Sequence, residues 1–231
     1  MLPLSPSFSR FLHITRSGAF FVFILSFCVF SYYFLDKPIA YYAKDSLNAQ
    51  LINIAEFITH FGKGTVYYIA LACAFLFFKF MFKSKAWASV SGFLFLAISI
   101  PGLLCTFLKM VLGRARPVLL HSEQLYGFTF FQTAAPYLSF PSGHSVLITS
   151  LMLGLCFVFT RYWITFLSLA LLISATRVLI GAHYLSDVIA GMYLAILIVP
   201  LVHNYACLWS MFKEMNQHLF SQHPIKKRGT K

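Results

Sequence analysis

The sequence predicts an all-α protein: an integral membrane bundle of six transmembrane helices, with a short amphipathic interfacial helix between the first two. Three observations carry this expectation. Of the 231 residues, 59% are hydrophobic and 10% charged, against about 25% charged in an average soluble domain. Apolar runs long enough to cross a bilayer, which takes about 20 residues for a core of about 30 Å, recur along the chain. Lysine and arginine sort to alternate ends of these runs. The length fits one domain, and no Pro-, Gly- or Ser-rich linker marks a second.

From the N terminus, the expected organisation is a cytoplasmic segment over 1–16, a membrane domain over 17–207 and a basic cytoplasmic tail over 208–231. Spans are expected at about 17–35, 64–82, 87–108, 143–160, 163–180 and 185–207. Arg10 and Arg16 precede the first run without an acid, as in a signal peptide. Its length and the lack of a small-residue cleavage site favour a retained helix. Between the first two runs, Leu47, Leu51, Ile54, Ile58 and Phe61 recur at helical spacing, while Asn53, Glu56, His60 and Lys63 point elsewhere. Asp45 or Ser46 is the expected N-cap of this helix, and His60 is expected to be merely solvated. The one long non-helical stretch runs from Lys109 to Pro141 and carries Tyr126, Phe128, Phe130, Phe131, Tyr137 and Phe140. It reads either as a wall touching lipid chains or as ordinary interfacial aromatics. Cys28, Cys73, Cys105, Cys156 and Cys207 all fall in apolar runs without metal-ligand spacing, so neither a disulfide framework nor a metal site is expected.

Orientation follows from the loops. One side carries Arg10, Arg16, Lys79, Lys83, Lys85, Arg161, Lys213, Lys226, Lys227, Arg228 and Lys231. The other carries Lys37, Lys44, Lys63 and five of the six acidic residues. Both termini are therefore expected in the cytoplasm, with the polar motifs facing the opposite compartment. The net charge of +12 is spread over tails and loops without a nucleic-acid-binding signature, so membrane lipids and not nucleic acid are the expected partners. Gly154 and Gly191 suit helix packing, within one chain or between copies alike.

Three fragments carry the chemistry, each at the end of an apolar run. In the first, Lys109 is followed by Arg116-Pro117, where the proline turns the chain away from helix. Arg114 between them is open to three readings: phosphate, lipid headgroup or solvent. In the second, Pro141-Ser142-Gly143-His144 opens an apolar helix, whose N-terminal N–H groups, with the Ser142 hydroxyl and the bare Gly143 backbone, suit an anion. In the third, Thr176-Arg177 precedes His183 and Asp187, four residues apart. On one continuous helix they share a face; with a break near Gly181, His183 lies just before the helix and still meets Asp187. A carboxylate that holds one imidazole nitrogen protonated leaves the other free as a nucleophile.

The spacing of these fragments resembles that of the type 2 phosphatidic acid phosphatase superfamily, which also includes glucose-6-phosphatase and the vanadium haloperoxidases. KMVLGRARP and PSGH match the family pattern completely, and TRVLIGAHYLSD has Thr176 where the family usually has serine. The resemblance covers about residues 64–207. It implies that His183 attacks phosphorus, that Asp187 orients it, and that His144 protonates the leaving oxygen and then activates water. Lys109, Arg116, Ser142, the Gly143 N–H and Arg177 would hold the phosphoryl oxygens, with no metal or other cofactor in the scheme. These roles imply a neutral His183 and a protonated His144 at rest. The implied protein is a phosphatase acting on a lipid-linked phosphate or diphosphate at the extracytoplasmic face of a bacterial inner membrane. Undecaprenyl diphosphate, phosphatidylglycerol phosphate, phosphatidic acid and lipid A phosphate are the candidate substrates. The alternatives are a phosphotransferase using the same phosphohistidine and a non-catalytic lipid-phosphate binder or transporter.

Overall fold

The computed structural model describes residues 4–222, with side chains as far as Cys207. Among them the regular secondary structure is helical, apart from a single bridge between Arg114 and Phe128, and the longest stretch without an α-helix runs over 124–142. Ten α-helices follow in order: α1 (Pro6–Thr15), α2 (Gly18–Phe34), α3 (Asp36–Asp45), α4 (Ala49–Thr59), α5 (Gly64–Leu76), α6 (Lys85–Leu112), α7 (Pro117–Glu123), α8 (Gly143–Val158), α9 (Trp163–Leu179) and α10 (Leu185–Gln222).

Four helical stretches are long and apolar enough to cross a membrane: Ala49–Met81, Lys85–Leu112, Thr160–Leu179 and Leu185–Cys207. α1 and α2, bent by 61° at their junction, make a fifth if taken as one span. The fourth expected run, 143–160, folds as α8, which has only 16 residues. At 1.5 Å per residue it is about 24 Å long, short of the bilayer core. Instead of facing lipid it fills the middle of the bundle, with Val146, Ile148, Leu153 and Cys156 fully buried. Outward faces of the surrounding helices keep large apolar groups exposed, among them Val66, Leu103, Ile164 and Leu171, a surface that water alone would not tolerate. The chain is an integral membrane protein.

Between the first two runs the sequence places one amphipathic helix, and the structure has two, α3 and α4. Ser46 caps the C-terminal end of α3, and the N-cap of α4 is Asn48, whose Oδ1 accepts the Gln50 N–H at 2.8 Å. An Asp45 or Ser46 cap is thus replaced by one two residues further on. The buried positions of α4 are Ala55 and Thr59, whereas Leu51, Ile54 and Phe61 of the apolar stripe face outward. His60 is exposed and its Nδ1 lies 2.6 Å from the Glu56 carbonyl oxygen.

The segment before residue 17 does not hang free. Phe8 and Leu12 of α1 enter the main core with Phe93 and Leu94 of α6, Leu153 and Phe157 of α8, and Val199 and Val202 of α10. Close helix contact depends on two glycines. A Cβ at Gly154 would meet Leu94 Cδ2 at 2.8 Å, and one at Gly191 would meet the Ser142 carbonyl oxygen at 2.7 Å. Both therefore serve contacts within the chain. α10 continues to Gln222, so helix extends into the expected tail; Lys226, Lys227, Arg228 and Lys231 lie outside the described residues.

Candidate active site

The three fragments meet at one end of the bundle, because each lies where a helix starts or stops. α6 ends at Gly113, whose φ of 56° gives the left-handed C-cap that a side chain would strain. That leaves Lys109 in the last helical turn and releases Arg114 and Arg116 into the loop. The loop is held by backbone bonds: Ala115 N–H to Gly127 O at 3.0 Å, Arg116 N–H to Pro136 O at 2.9 Å and Ser139 N–H to Arg114 O at 3.0 Å. Ser142 then caps α8, its Oγ facing the Ser145 N–H at 3.5 Å, while its own N–H donates to the Asp187 carbonyl at 2.9 Å. That last bond ties the second fragment to the third. It requires Gly191, where any side chain would strike the Ser142 backbone.

Gly181, with φ of 64°, breaks the chain between α9 and α10. Of the two arrangements open for His183 and Asp187, the broken one is observed. His183 precedes α10, its N–H bonded to the Arg177 carbonyl at 3.2 Å, and Asp187 sits in the first turn of that helix. The ring Nδ1 is 3.6 Å from Asp187 Oδ2, an ion-pair distance and longer than a hydrogen bond. Ser139 closes the gap: its Oγ donates to Asp187 Oδ2 at 2.5 Å and lies 3.4 Å from His183 Nδ1. The Tyr184 N–H donates to the same carboxylate oxygen at 2.9 Å. His183 is buried, and burial pushes its pKa down to about 3, with Asp187 opposing. It is therefore neutral at ordinary pH.

Cations surround this pair. Lys109 Nζ donates to the Leu138 carbonyl at 2.6 Å, and Arg116 reaches the same oxygen at 3.4 Å. Arg177 donates from its NH1 to Thr59 Oγ1 of α4 at 3.0 Å. The Nε atoms of Arg116 and Arg177 are buried without a hydrogen-bond partner among the described residues. They are donors still available to an oxyanion. Burial lowers the Arg116 pKa from its ordinary value, with Asp187 pulling the other way. The His144 ring rests on Gly62, where a Cβ would come within 3.0 Å of its Cδ2. Thr176 turns its hydroxyl into the helix, donating to the Ile173 carbonyl at 2.6 Å, so it adds nothing to the pocket. No group of three or more His, Cys, Asp or Glu side chains among the described residues is arranged to hold a metal ion.

Arg114 resolves differently from all three readings open in the sequence. It is fully buried and donates from NH1 to Asp187 Oδ1 at 2.5 Å and from NH2 to Asp36 Oδ2 at 2.8 Å. Burial opposes its charge, but Asp187 and Asp36 hold its pKa above the ordinary arginine value. Tyr32, Tyr126, Phe128 and Tyr184 pack their rings around the guanidinium within 4.5 to 5.4 Å. Part of the aromatic loop is thus a cage for a buried cation. Ser139, Asp36 and Thr59 escape sequence reading, since single hydroxyls and a lone acid outside any motif give no pattern.

A buried imidazole and carboxylate thus lie beside lysine and arginine donors at one end of a helical membrane bundle. The PAP2 superfamily model matches residues 90–209, and the chain belongs to that superfamily. Lipid A 1-phosphatases of Rhizobium etli and Rhizobium johnstonii are 40% and 39% identical over 114 residues. That stretch is 48% of this chain and 49% and 47% of theirs, so the chain spans about half the length of the curated relatives it matches. The fold is similar to that of LpxE from Aquifex aeolicus, with a TM-score of 0.56 at 20% identity, covering 74% of this chain and 96% of that one. It is also similar to a PAP2-type phosphatidylglycerolphosphate phosphatase from Bacillus subtilis, with a TM-score of 0.55 at 21% identity, covering 80% and 92%.

Proposed function

We propose that the protein is a membrane phosphatase that removes a terminal phosphate from a lipid-linked phosphate or diphosphate through a phosphohistidine. The observation that carries this reading is a neutral, buried His183, backed by Asp187 and Ser139, beside the donors of Lys109, Arg116 and Arg177. In the first step the Nε2 lone pair of His183 forms a bond to phosphorus as the phosphorus–oxygen ester bond breaks, and His144 gives its proton to the departing oxygen. In the second, His144 takes a proton from water, the resulting hydroxide attacks phosphorus, and the nitrogen–phosphorus bond breaks to release inorganic phosphate and neutral His183. Lys109, Arg116, Arg177 and the Ser142–Gly143 helix start hold the phosphoryl oxygens.

The expectation of a resting imidazolium at His144 changes on this geometry. Burial, followed by the charges of Arg177, Arg116 and Lys109, pushes its pKa down to about 4, because a buried site and like charges both disfavour another cation. The arriving phosphate supplies the negative charge under which His144 becomes an acid. The 1-phosphate of lipid A is the favoured substrate, because the relatives of that name share 40% and 39% identity over the matched stretch. The basic loops support cytoplasmic termini and a site facing the other compartment, in a bacterial inner membrane.

The test is release of inorganic phosphate by purified protein in EDTA, across lipid A, phosphatidylglycerol phosphate, phosphatidic acid and undecaprenyl diphosphate, with His183→Ala as control. Release from one lipid that disappears in the variant is expected. Equal release by the His183→Ala protein would exclude His183 as nucleophile, and silence across the panel would overturn hydrolysis as the activity.

A further inference from the structure

Asp36 belongs to none of the three fragments and lies outside residues 90–209, yet it is built into the site. It is the first residue of α3 and is buried. Its Oδ1 accepts from Ser31 Oγ at 2.8 Å and the Ser186 N–H at 3.0 Å. Its Oδ2 accepts from Arg114 NH2 at 2.8 Å and from the Ser186 hydroxyl. Ser186 Oγ in turn accepts from Arg114 NH1 at 2.7 Å. Two carboxylates therefore share one guanidinium, each taking one of its amino groups.

This division has two consequences. A guanidinium beside a single carboxylate tends to grip it with both amino groups. Asp36 claims NH2, which leaves Asp187 Oδ2 to Ser139, Tyr184 and His183. The charge balance also changes. Asp36, Asp187 and Arg114 together carry one net negative charge in a buried place. When the nitrogen–phosphorus bond forms, the His183 ring becomes positive, and a buried unpaired charge is expensive. With Asp36 the cluster becomes neutral at that moment; without it, the Arg114–Asp187 pair is already neutral, and the new cation is left with the phosphoryl group alone, whose charge Lys109, Arg116 and Arg177 already meet. The geometry points to Asp36 as a positioning residue of the phosphohistidine step, acting through Arg114 to leave Asp187 Oδ2 free for His183 and to supply the charge that balances the new cation. This inference rests on the phosphatase reading above.

The test uses the full-length protein in detergent, on whichever lipid the wild type hydrolyses, and reads kcat, KM, melting temperature and acid-quenched labelled phosphoenzyme. Asp36→Asn keeps the shape and removes the charge. We expect kcat to fall about 100-fold, with KM within about threefold of wild type and less trapped phosphohistidine. Asp36→Asn combined with Arg114→Gln restores the net negative charge, and its kcat is expected to exceed that of Asp36→Asn by about tenfold. A purely structural role would instead make the double variant worse. Wild-type kcat in Asp36→Asn, or a double variant no faster than the single one, would overturn the inference. If Asp36→Asn aggregates, the double variant decides: folded and more than a thousandth as active as wild type it supports the counter-charge, and otherwise it overturns it. Loss of activity in the wild type itself, or its retention in His183→Ala, would instead strike the phosphatase reading and take this inference with it.

Discussion

Ser139 shows how much of the pairing of His183 with Asp187 can depend on a residue with no motif. The distance of 3.6 Å between His183 and Asp187 leaves their alignment to the hydroxyl that touches both. A hydrogen bond to a charged group contributes about 1.5–3 kcal/mol. Ser139→Ala is accordingly expected to lower kcat by about tenfold or more with KM little changed, measured as phosphate release under saturating and limiting lipid. His183 also sets a pH dependence of stability. Burial lowers its pKa to about 3 in the folded protein, against about 6.5 for a free histidine. Between these values the unfolded chain binds a proton that the folded one refuses, so the contribution of His183 is full above about pH 6.5 and is lost as pH falls toward 3. The melting temperature should therefore drop on acidification below about 6.5, and less steeply in His183→Asn. An identical slope in the two proteins would show that His183 is not the residue responsible.

At the scale of elements, the site depends on how closely α10 approaches the start of α8. Gly191 is the contact point, since a Cβ there would lie 2.7 Å from a backbone oxygen and 3.3 Å from a backbone nitrogen of Ser142. Backbone cannot swing aside as a flexible side chain can. Gly191→Ala should cost about 1–3 kcal/mol of stability, as overpacking does, and should also reduce turnover by displacing the Ser142 N–H from the Asp187 carbonyl. Thermal unfolding in detergent and phosphate release check the two effects separately. Gly154, where Leu94 Cδ2 is the obstacle, offers a comparison: loss of stability there should leave the kcat of the folded fraction near wild type.

At the scale of the molecule, α1 bends back into the core and α8 is surrounded, so the helices that meet lipid are fewer than the apolar runs. The orientation proposed from the basic loops has a direct check. Lys63 borders the His144 side, next to Gly62, and Lys83 lies between the stretches Ala49–Met81 and Lys85–Leu112. With the native cysteines replaced, Lys63→Cys should react with a membrane-impermeant maleimide applied from outside, and Lys83→Cys only after permeabilisation. The reverse pattern would invert the topology and place the site in the cytoplasm.

The helical class, the membrane, the approximate runs and the chemistry-bearing fragments were all legible in the residues, because hydropathy, helical period and short polar spacings are local properties. His144, His183, Asp187, Lys109, Arg116 and Arg177 were named from such spacings, and the structure gathers them at one end of the bundle. Which apolar run faces lipid and which fills the centre was decided only in three dimensions, since burial of α8 depends on what packs around it. The same holds for Arg114, whose partners Asp36 and Asp187 are 78 and 73 residues away in the chain. Nothing local marks such a meeting, and only the tertiary fold turned three distant charges into one buried cluster beside His183.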